Sequence, residues 1–242
     1  MKDYTSLQLL EQLESRREIR NIMGKISHDY SVKQEASVYE RYWSTRQDVC
    51  LGLNNGYYQG AEAVKGYYDA LGEEIALSSS LIQKKFPGEL GEKTAEEVYG
   101  VGMMTYLPFE SQIIEIAEDG KTAKGMWNIR GSYCKLTGCG PIAYWTFGWA
   151  AVDFILEDGE WKIWHMLLLY NVDAQCGSSI GNEPDKKYEP IPEFAPMDDF
   201  KMPEPNKPVT LMESYSAERP ATKSPRAPEP YNTFAETFSY GA

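Results

Sequence analysis

The chain has 242 residues, of which 42% are hydrophobic and 13% aromatic, enough apolar material for a substantial core. Its 36 acidic residues against 24 basic ones give a net charge of −12, which disfavours nucleic acid, anionic membrane and polyphosphate as partners. No apolar run approaches the roughly 20 residues that a membrane span needs, and residues 1–4 lack a signal-peptide pattern. The cytoplasm is therefore the expected location.

The first 86 residues follow a helical pattern that one hairpin interrupts. Apolar residues recur at three- and four-residue spacing over 5–31, and Thr5-Ser6-Leu7-Gln8 is typical of a capping box. Asn54-Asn55-Gly56 is a hairpin turn signal between two short apolar runs. The predicted elements are helices over 5–31, 37–43 and 60–86, with short strands over 48–53 and 57–58.

The second half of the chain changes to strand character. Residues 87–102 contain four Gly and four Glu, which predicts a loop long enough to act as a lid or an insertion. Strand-length runs follow over 103–117, 121–136, 141–156 and 161–172, with tight-turn signals at 118–120 and 157–159. The order predicts an α+β fold in which N-terminal helices pack on a strongly curved antiparallel sheet.

Proline and aromatic residues characterise the remainder of the chain. Eleven of the 14 prolines lie between Pro184 and Pro230, and periodicity disappears there. We predict a domain over 1–174 and an extended proline-rich arm over 175–242 that packs on the domain or on a neighbouring subunit. A disordered linker is the alternative. The aromatic residues that favour packing are Tyr188, Phe194, Phe200, Tyr215, Tyr231, Phe234, Phe238 and Tyr240.

The sequence lacks the common cofactor and metal motifs. It contains no phosphate loop, dinucleotide fingerprint, His-Glu-x-x-His or Gly-x-Ser-x-Gly, so neither a cofactor nor a metal is expected. Cys134 and Cys139 lie close in sequence, and reduced, packed thiols are favoured over a disulfide between them.

Two histidines are candidate proton-transfer groups, because imidazole titrates near neutral pH. His28 lies near the C-terminal end of the first helix, in Ser27-His28-Asp29-Tyr30. His165 lies on the last strand, in phase with Trp161 and Ile163. The structural alternatives are a surface helix cap for His28 and a hydrogen-bonded core residue for His165.

The middle strands place large aromatic residues beside glycines. On the 121–136 run, Trp127 and Tyr133 share a face with Gly125 and Gly131, and Tyr144 shares a face with Gly148 on the next run. Flat walls beside missing side chains are typical of a pocket for a planar or polycyclic ligand. A curved sheet whose glycines relieve crowding is an equally good interpretation.

Several motifs resemble the SnoaL-like branch of the nuclear transport factor 2 superfamily. They are GKISHDY at 24–30, YW at 42–43, DV at 48–49, GYYQG at 56–60 and DGEWKIWH at 158–165, and the resemblance covers roughly residues 10–172. The superfamily includes ketosteroid isomerase, polyketide cyclases, scytalone dehydratase, bile-acid dehydratases and non-catalytic carriers. The resemblance implies a cone-shaped domain with one deep pocket, and dimers or trimers formed through the convex sheet face.

The resemblance also implies site residues, with gaps. Tyr30 matches the helix-end tyrosine of scytalone dehydratase, but Ser31 stands where that enzyme has an aspartate. Tyr106 stands where bile-acid dehydratases have a strand histidine, and Gly131 stands where they have a strand aspartate. Asn171 matches a pocket asparagine on the last strand of scytalone dehydratase.

These observations predict a cofactor-independent lyase, dehydratase or isomerase that acts by acid/base chemistry on a hydrophobic aromatic or polycyclic oxygenated molecule. The alternative is a non-catalytic binding or assembly protein with a degenerate pocket. We expect a homodimer or homotrimer in which the arm wraps a neighbour. The candidate catalytic residues are Tyr30, His28, Asp29 and Tyr106, and the candidate substrate-binding residues are Trp127, Tyr133, Tyr144, His165 and Asn171.

Overall fold

A computed structural model describes residues 5–177, 188–208, 215, 216, 218, 220 and 224–241. The predicted capping box is present, since the Thr5 side chain accepts from the Gln8 backbone N–H and the Gln8 side chain accepts from the Thr5 N–H. No helix in these residues is both long and apolar enough to cross a membrane. The helices are α1 (Ser6–Ser31), α2 (Val38–Tyr42), α3 (Ala61–Lys85), α4 (Pro87–Leu90) and α5 (Pro196–Asp199).

Seven strands form one mixed sheet. The strands are β1 (Cys50–Leu53), β2 (Gly56–Gln59), β3 (Met104–Tyr106), β4 (Phe109–Ile116), β5 (Thr122–Thr137), β6 (Gly140–Glu157) and β7 (Glu160–Gln175). The predicted strand over 103–117 is two strands that both pair with β5, separated at Leu107-Pro108, where proline supplies no N–H.

The sheet differs from the prediction in two respects. It runs in the order β2-β1-β7-β6-β5-β3, and β1 pairs with β7 in parallel, so the sheet is mixed and mostly antiparallel. β1 and β7 can pair in parallel because no tight turn joins them: α3 and the strands β2 to β6 lie between them in the chain. The predicted strong curl is wrong: the sheet is not strongly curled, and its end strands β2 and β3 do not pair with each other.

The glycines of β5 and β6 accommodate close neighbours rather than an open cavity. A Cβ at Gly125 would collide with the Trp127 ring, one at Gly131 would collide with the Tyr106 carbonyl, and one at Gly148 would collide with the Leu169 carbonyl. These contacts favour the interpretation in which glycine relieves crowding.

Two bulges interrupt the pairing of β6 with β7. Asp153 pairs with His165 but Phe154 pairs with Ile163, so Trp164 is an extra residue. The second shift, between Phe147 and Gly148, leaves Asn171 extra in the same way. Each extra residue reverses the alternation of the side chains that follow it.

The bulge at Trp164 separates residues that a regular strand would place together. Ile163 packs in the main core between the helices and the sheet. His165 instead contacts Asp153 and Ser239, beside the cluster formed by Cys50, Met126, Leu167, Tyr240 and their neighbours. The expected phase of His165 with Trp161 and Ile163 is therefore wrong.

The described residues after β7 contact the preceding fold at several places. Phe194 and Met197 are buried against Leu81 and Ile82 of α3. Further along, the Tyr57 N–H donates to the Lys207 carbonyl over 2.7 Å. β7 ends at Gln175, and the division of the chain near residue 174 stays a prediction, as does the wrapping of a neighbouring subunit.

Residues 87–102, predicted as a loop, contain the short α4 and then turns. They pack on α3 through Val101, which contacts the cluster containing Leu81 and Ile82, and through the Gly100 N–H, which donates to Ser79 Oγ over 2.8 Å. All four cysteines are free, as the sequence favoured.

Candidate functional site

A pocket of about 470 Å³ lies between α1, α3 and the helix-facing side of the sheet. Its volume falls within the range of small-molecule sites. Five tyrosines line it, one each from α1, β2, α3, β5 and β7. They are Tyr30, Tyr58, Tyr67, Tyr133 and Tyr170. Five charged residues also line it: Lys33, Glu35, Glu74, Lys135 and Asp173.

The tyrosines form a contiguous cluster on the inner wall. The Tyr67 ring centroid lies 5.0 Å from that of Tyr58 and 5.5 Å from that of Tyr68, which it meets edge-on. Burial is the main cause that raises the pKa of Tyr30, Tyr67 and Tyr170 well above the ordinary value of 10.0. Neighbouring phenols add to the rise at Tyr30 and Tyr67, and the Asp173 carboxylate adds to it at Tyr170. These hydroxyls therefore stay protonated at neutral pH and can donate hydrogen bonds.

Tyr133 and Asp173 form a hydrogen-bonded pair at the sheet side of the pocket. The Tyr133 hydroxyl lies 2.9 and 2.8 Å from the two carboxylate oxygens of Asp173. Partial desolvation raises the pKa of Asp173, and this hydrogen bond opposes the rise. The Tyr133 ring stacks on Tyr144, with 4.9 Å between the centroids.

Glu74 of α3 is the pocket carboxylate that has no direct partner. It is half-buried, and within the described part of the chain it makes no hydrogen bond and no ion pair. Desolvation raises its pKa, an effect that the more distant Lys135 and Lys33 reduce. A carboxylate whose pKa is shifted toward neutrality is suited to accept and return a proton.

The sequence contained a signal for Glu74 that the predicted site did not use. Tyr67, Leu71, Ile75 and Ser78 lie on one face of α3, and Glu74 falls on the same face at helical spacing. A carboxylate on an otherwise inward-facing stripe points to a functional group more often than one on a polar face does.

Two of the four predicted catalytic residues have structural surroundings that keep them from the pocket. His28 is exposed in the last turn of α1. Asp29 is buried, but its Oδ2 binds Arg41 Nη1 at 2.8 Å and the Tyr42 hydroxyl at 2.9 Å.

Of the other two, Tyr106 is 60% exposed on β3 and does not line the pocket, whereas Tyr30 does. The structure thus brings only Tyr30 of these four to the pocket.

The predicted substrate-binding residues also divide between different places. Tyr133 lines the pocket, and Tyr144, its partner on β6, stacks on the Tyr133 ring. Trp127 is buried in the core, edge-on to Phe154. Asn171 is the bulge residue, and its carbonyl accepts a hydrogen bond from the Tyr215 N–H over 2.8 Å.

His165 belongs to a second charged cluster, on the opposite side of the sheet from the pocket. We call Lys124, Asp153, His165 and Ser239 the C-terminal cluster. The Asp153 carboxylate accepts from Lys124 Nζ at 2.7 Å, from the Ser239 hydroxyl at 2.9 Å and from the Tyr240 N–H at 3.0 Å. His165 Nδ1 lies 2.9 Å from Asp153 Oδ2.

The C-terminal cluster does not have the geometry of a nucleophilic triad. A carboxylate can only accept, so His165 Nδ1 carries a proton and donates it to Asp153. Ser239 Oγ approaches the same nitrogen, at 3.0 Å. A triad instead needs the serine on the nitrogen that is free to take its proton. The cluster therefore fastens residues near the C-terminus to the sheet.

Comparison with known proteins gave structural matches only. No protein-family profile and no curated protein sequence matches the chain. A candidate scytalone dehydratase from Novosphingobium aromaticivorans is 12% identical with a TM-score of 0.48, over 74% of this chain and 98% of that one. A hexachlorocyclohexane dehydrochlorinase from Novosphingobium barchaimii is 13% identical with a TM-score of 0.46, over 72% and 99%.

A nuclear transport factor 2-like protein from Salmonella enterica is 10% identical with a TM-score of 0.44, over 69% of this chain and 99% of that one. Such low identities and scores carry no argument about what the chain does. The elements of the structure follow the order that the motifs predict: a long helix, a short hairpin, a second long helix and long antiparallel strands.

Proposed function

We propose that the protein is a cofactor-independent lyase, dehydratase or isomerase acting on a hydrophobic aromatic or polycyclic oxygenated small molecule. One observation carries the proposal: an unpaired, half-buried carboxylate, Glu74, faces a tyrosine-walled pocket of about 470 Å³. Lignin-type phenolic dimers fall within this substrate class. The fold itself is shared by catalysts and carriers, so the argument rests on the site.

In the proposed reaction Glu74 removes a proton from a carbon next to a carbonyl group. The electron pair of that C–H bond moves toward the oxygen, where hydroxyl groups such as those of Tyr67 and Tyr170 donate hydrogen bonds to the developing negative charge. Neither of these two hydroxyls has a protein hydrogen-bond partner among the described residues, so both are available to a ligand.

Two outcomes follow from that intermediate. In an isomerisation, protonated Glu74 returns its proton to a different carbon of the same molecule. In an elimination, the electron pair forms a C=C bond, the bond to a leaving oxygen breaks, and the proton on Glu74 passes to that oxygen. Both sequences need one carboxyl group that switches between base and acid, and both balance without an oxidant or reductant.

A binding protein without catalysis is the second candidate. The observation in its favour is that His28, Asp29 and Tyr106 lie outside the pocket lining. In that case the tyrosine hydroxyls and Lys135 would hold a ligand, and Glu74 would contribute to selectivity only.

The variant Glu74→Gln tests the proposal, with Glu73→Gln as the matched control because Glu73 is exposed beside it on α3. Each protein is incubated in D₂O with phenolic dimers and hydroxylated aryl ketones, and mass spectrometry follows deuterium uptake and product formation. We expect Glu74→Gln to lower the rate about 10²–10⁴-fold, the range for a general base, and Glu73→Gln to leave it unchanged.

Two results would count against the proposal. Full activity of Glu74→Gln removes Glu74 as the base. Tight binding of these compounds to the wild-type protein with neither deuterium exchange nor product supports the binding-protein alternative instead.

A further inference from the structure

The pocket contains an unpaired cation as well as an unpaired carboxylate. We propose that Lys135 binds an anionic oxygen of the ligand, a carboxylate or a phenolate. The inference rests on the proposed function for its choice of pocket and narrows the substrate class.

Lys135 lies on β5 two residues after Tyr133, on the pocket side of the sheet. It is half-buried, and within the described residues it makes no hydrogen bond and no ion pair. Its Nζ lies 5.8 Å from the centre of the Tyr144 ring, near the outer limit of about 6 Å for a cation–π contact, which leaves its N–H groups without an acceptor. A half-buried ammonium group loses part of its hydration, so an anion at this place is favoured.

Each of the other charged groups of the pocket has a direct partner, although Glu35 Oε2 is buried without one among the described residues. Lys33 Nζ lies 3.2 Å from Glu35 Oε1 and also donates to Thr105 Oγ1. Asp173 accepts from Tyr133. Lys135 attracts both Glu74 and Asp173 electrostatically, yet no ion pair joins it to either among the described residues. Lys135 and Glu74 are therefore the two charged side chains of the pocket lining that a ligand meets without a direct partner in the described residues.

A ligand with an anionic oxygen at one end and an acidic C–H at the other satisfies both groups. The oxygen would take the place of water beside Lys135, and the C–H would face Glu74. A carboxylate or phenolate forms charge-assisted hydrogen bonds with an ammonium group, about twice as strong as neutral ones. A neutral isostere of such a ligand leaves the Lys135 ammonium group unpaired. Lys135 should therefore select the anionic ligand over the neutral isostere.

Calorimetric titration with matched aromatic probes tests this assignment. Biphenyl-4-carboxylate is compared with biphenyl-4-carboxamide, and 4-hydroxybiphenyl with 4-methoxybiphenyl, so that the two pairs distinguish a carboxylate from a phenol. We expect the wild-type protein to bind the acidic member of at least one pair about tenfold more tightly. Lys135→Met should reduce that ratio to near one, and Lys135→Arg should retain most of it.

The control Lys84→Met, an exposed position on α3, should keep the wild-type ratio. Equal affinities within both pairs, an unchanged ratio in Lys135→Met, or no binding of any probe to the wild-type protein would overturn the inference. Glu74→Gln distinguishes the role of Glu74 from the role of Lys135. It should lower turnover about 10²–10⁴-fold while the preference for the acidic probe is preserved. If the wild-type protein shows no preference for the acidic probes but its activity still depends on Glu74, only the role of Lys135 is refuted.

Discussion

The two sides of the sheet treat charge in opposite ways. On the side facing the C-terminal residues, Asp153 is fully buried and accepts from Lys124, Ser239 and the Tyr240 N–H, with His165 beside it. On the helix-facing side, Glu74 lines a pocket with no direct partner in the described residues. A buried charged group with several protein hydrogen-bond partners is typical of a structural contact. A charged group without such partners in a concave site is typical of a functional one.

The largest predicted effect concerns Asp153, on the side of the sheet that faces the C-terminal residues. Asp153→Asn leaves the buried Lys124 ammonium without its counter-charge, and breaking such a pair costs about 3–5 kcal/mol. The free energy of unfolding, measured by urea titration, should fall by that amount. The control Asp173→Asn, at the pocket, should cost less than about 1 kcal/mol because that carboxylate is partly solvated. Equal losses at both positions would remove the contrast between the two sides.

A smaller effect of opposite sign is expected at Glu74. Desolvation raises its folded pKa above 4.5, so the ionised carboxylate destabilises the folded state once the pH exceeds that value. Below pH 4.5, Glu74 is protonated in both states and costs nothing. The destabilisation therefore grows as the pH rises through the raised pKa and is constant above it.

Glu74→Gln removes this destabilisation. Its gain in unfolding free energy over the wild-type protein should increase between about pH 4.5 and neutrality. Chemical denaturation at a series of pH values measures the gain, and Glu73→Gln should show no comparable trend. A pH-independent difference would show that burial does not perturb Glu74.

The smallest effect is expected at Ser239. Ser239→Ala removes one hydrogen bond to Asp153, which keeps its other donors, so the loss should be about 1 kcal/mol. Ser31→Ala, at an exposed helix end, serves as the control and should change little. A loss as large as that of Asp153→Asn would mean that the cluster depends on the hydroxyl rather than on the Lys124–Asp153 pair.

Local signals in the sequence account for most of the elements. The capping box at Thr5 and the hairpin turn at Asn54-Asn55-Gly56 act over three or four residues, and both appear where they are predicted. The β5–β6 and β6–β7 hairpins also begin and end within three residues of the predictions. Such features depend on short-range geometry that the sequence contains directly.

The errors arose where a contact distant in sequence decides the outcome. The parallel pairing of β1 with β7 joins residues more than a hundred positions apart. The sequence left open whether Gly131 provides space for a ligand or relieves crowding, and the Tyr106 carbonyl next to it shows that it relieves crowding. His28 and Asp29 were predicted from residue type and Tyr106 from the resemblance. Helix rotation and the Arg41 contact instead determine which of these side chains line the pocket.

The bulges at Trp164 and Asn171 also affect how relatives can be compared. A one-residue deletion at either point would exchange the side chains of β7 between the pocket and the seat of the C-terminal residues, with hardly any change in identity. An alignment without gaps through β7 would then equate positions that lie on opposite sides of the sheet. Roles assigned to this strand by homology, including that of Asn171, are meaningful only between chains that share both insertions.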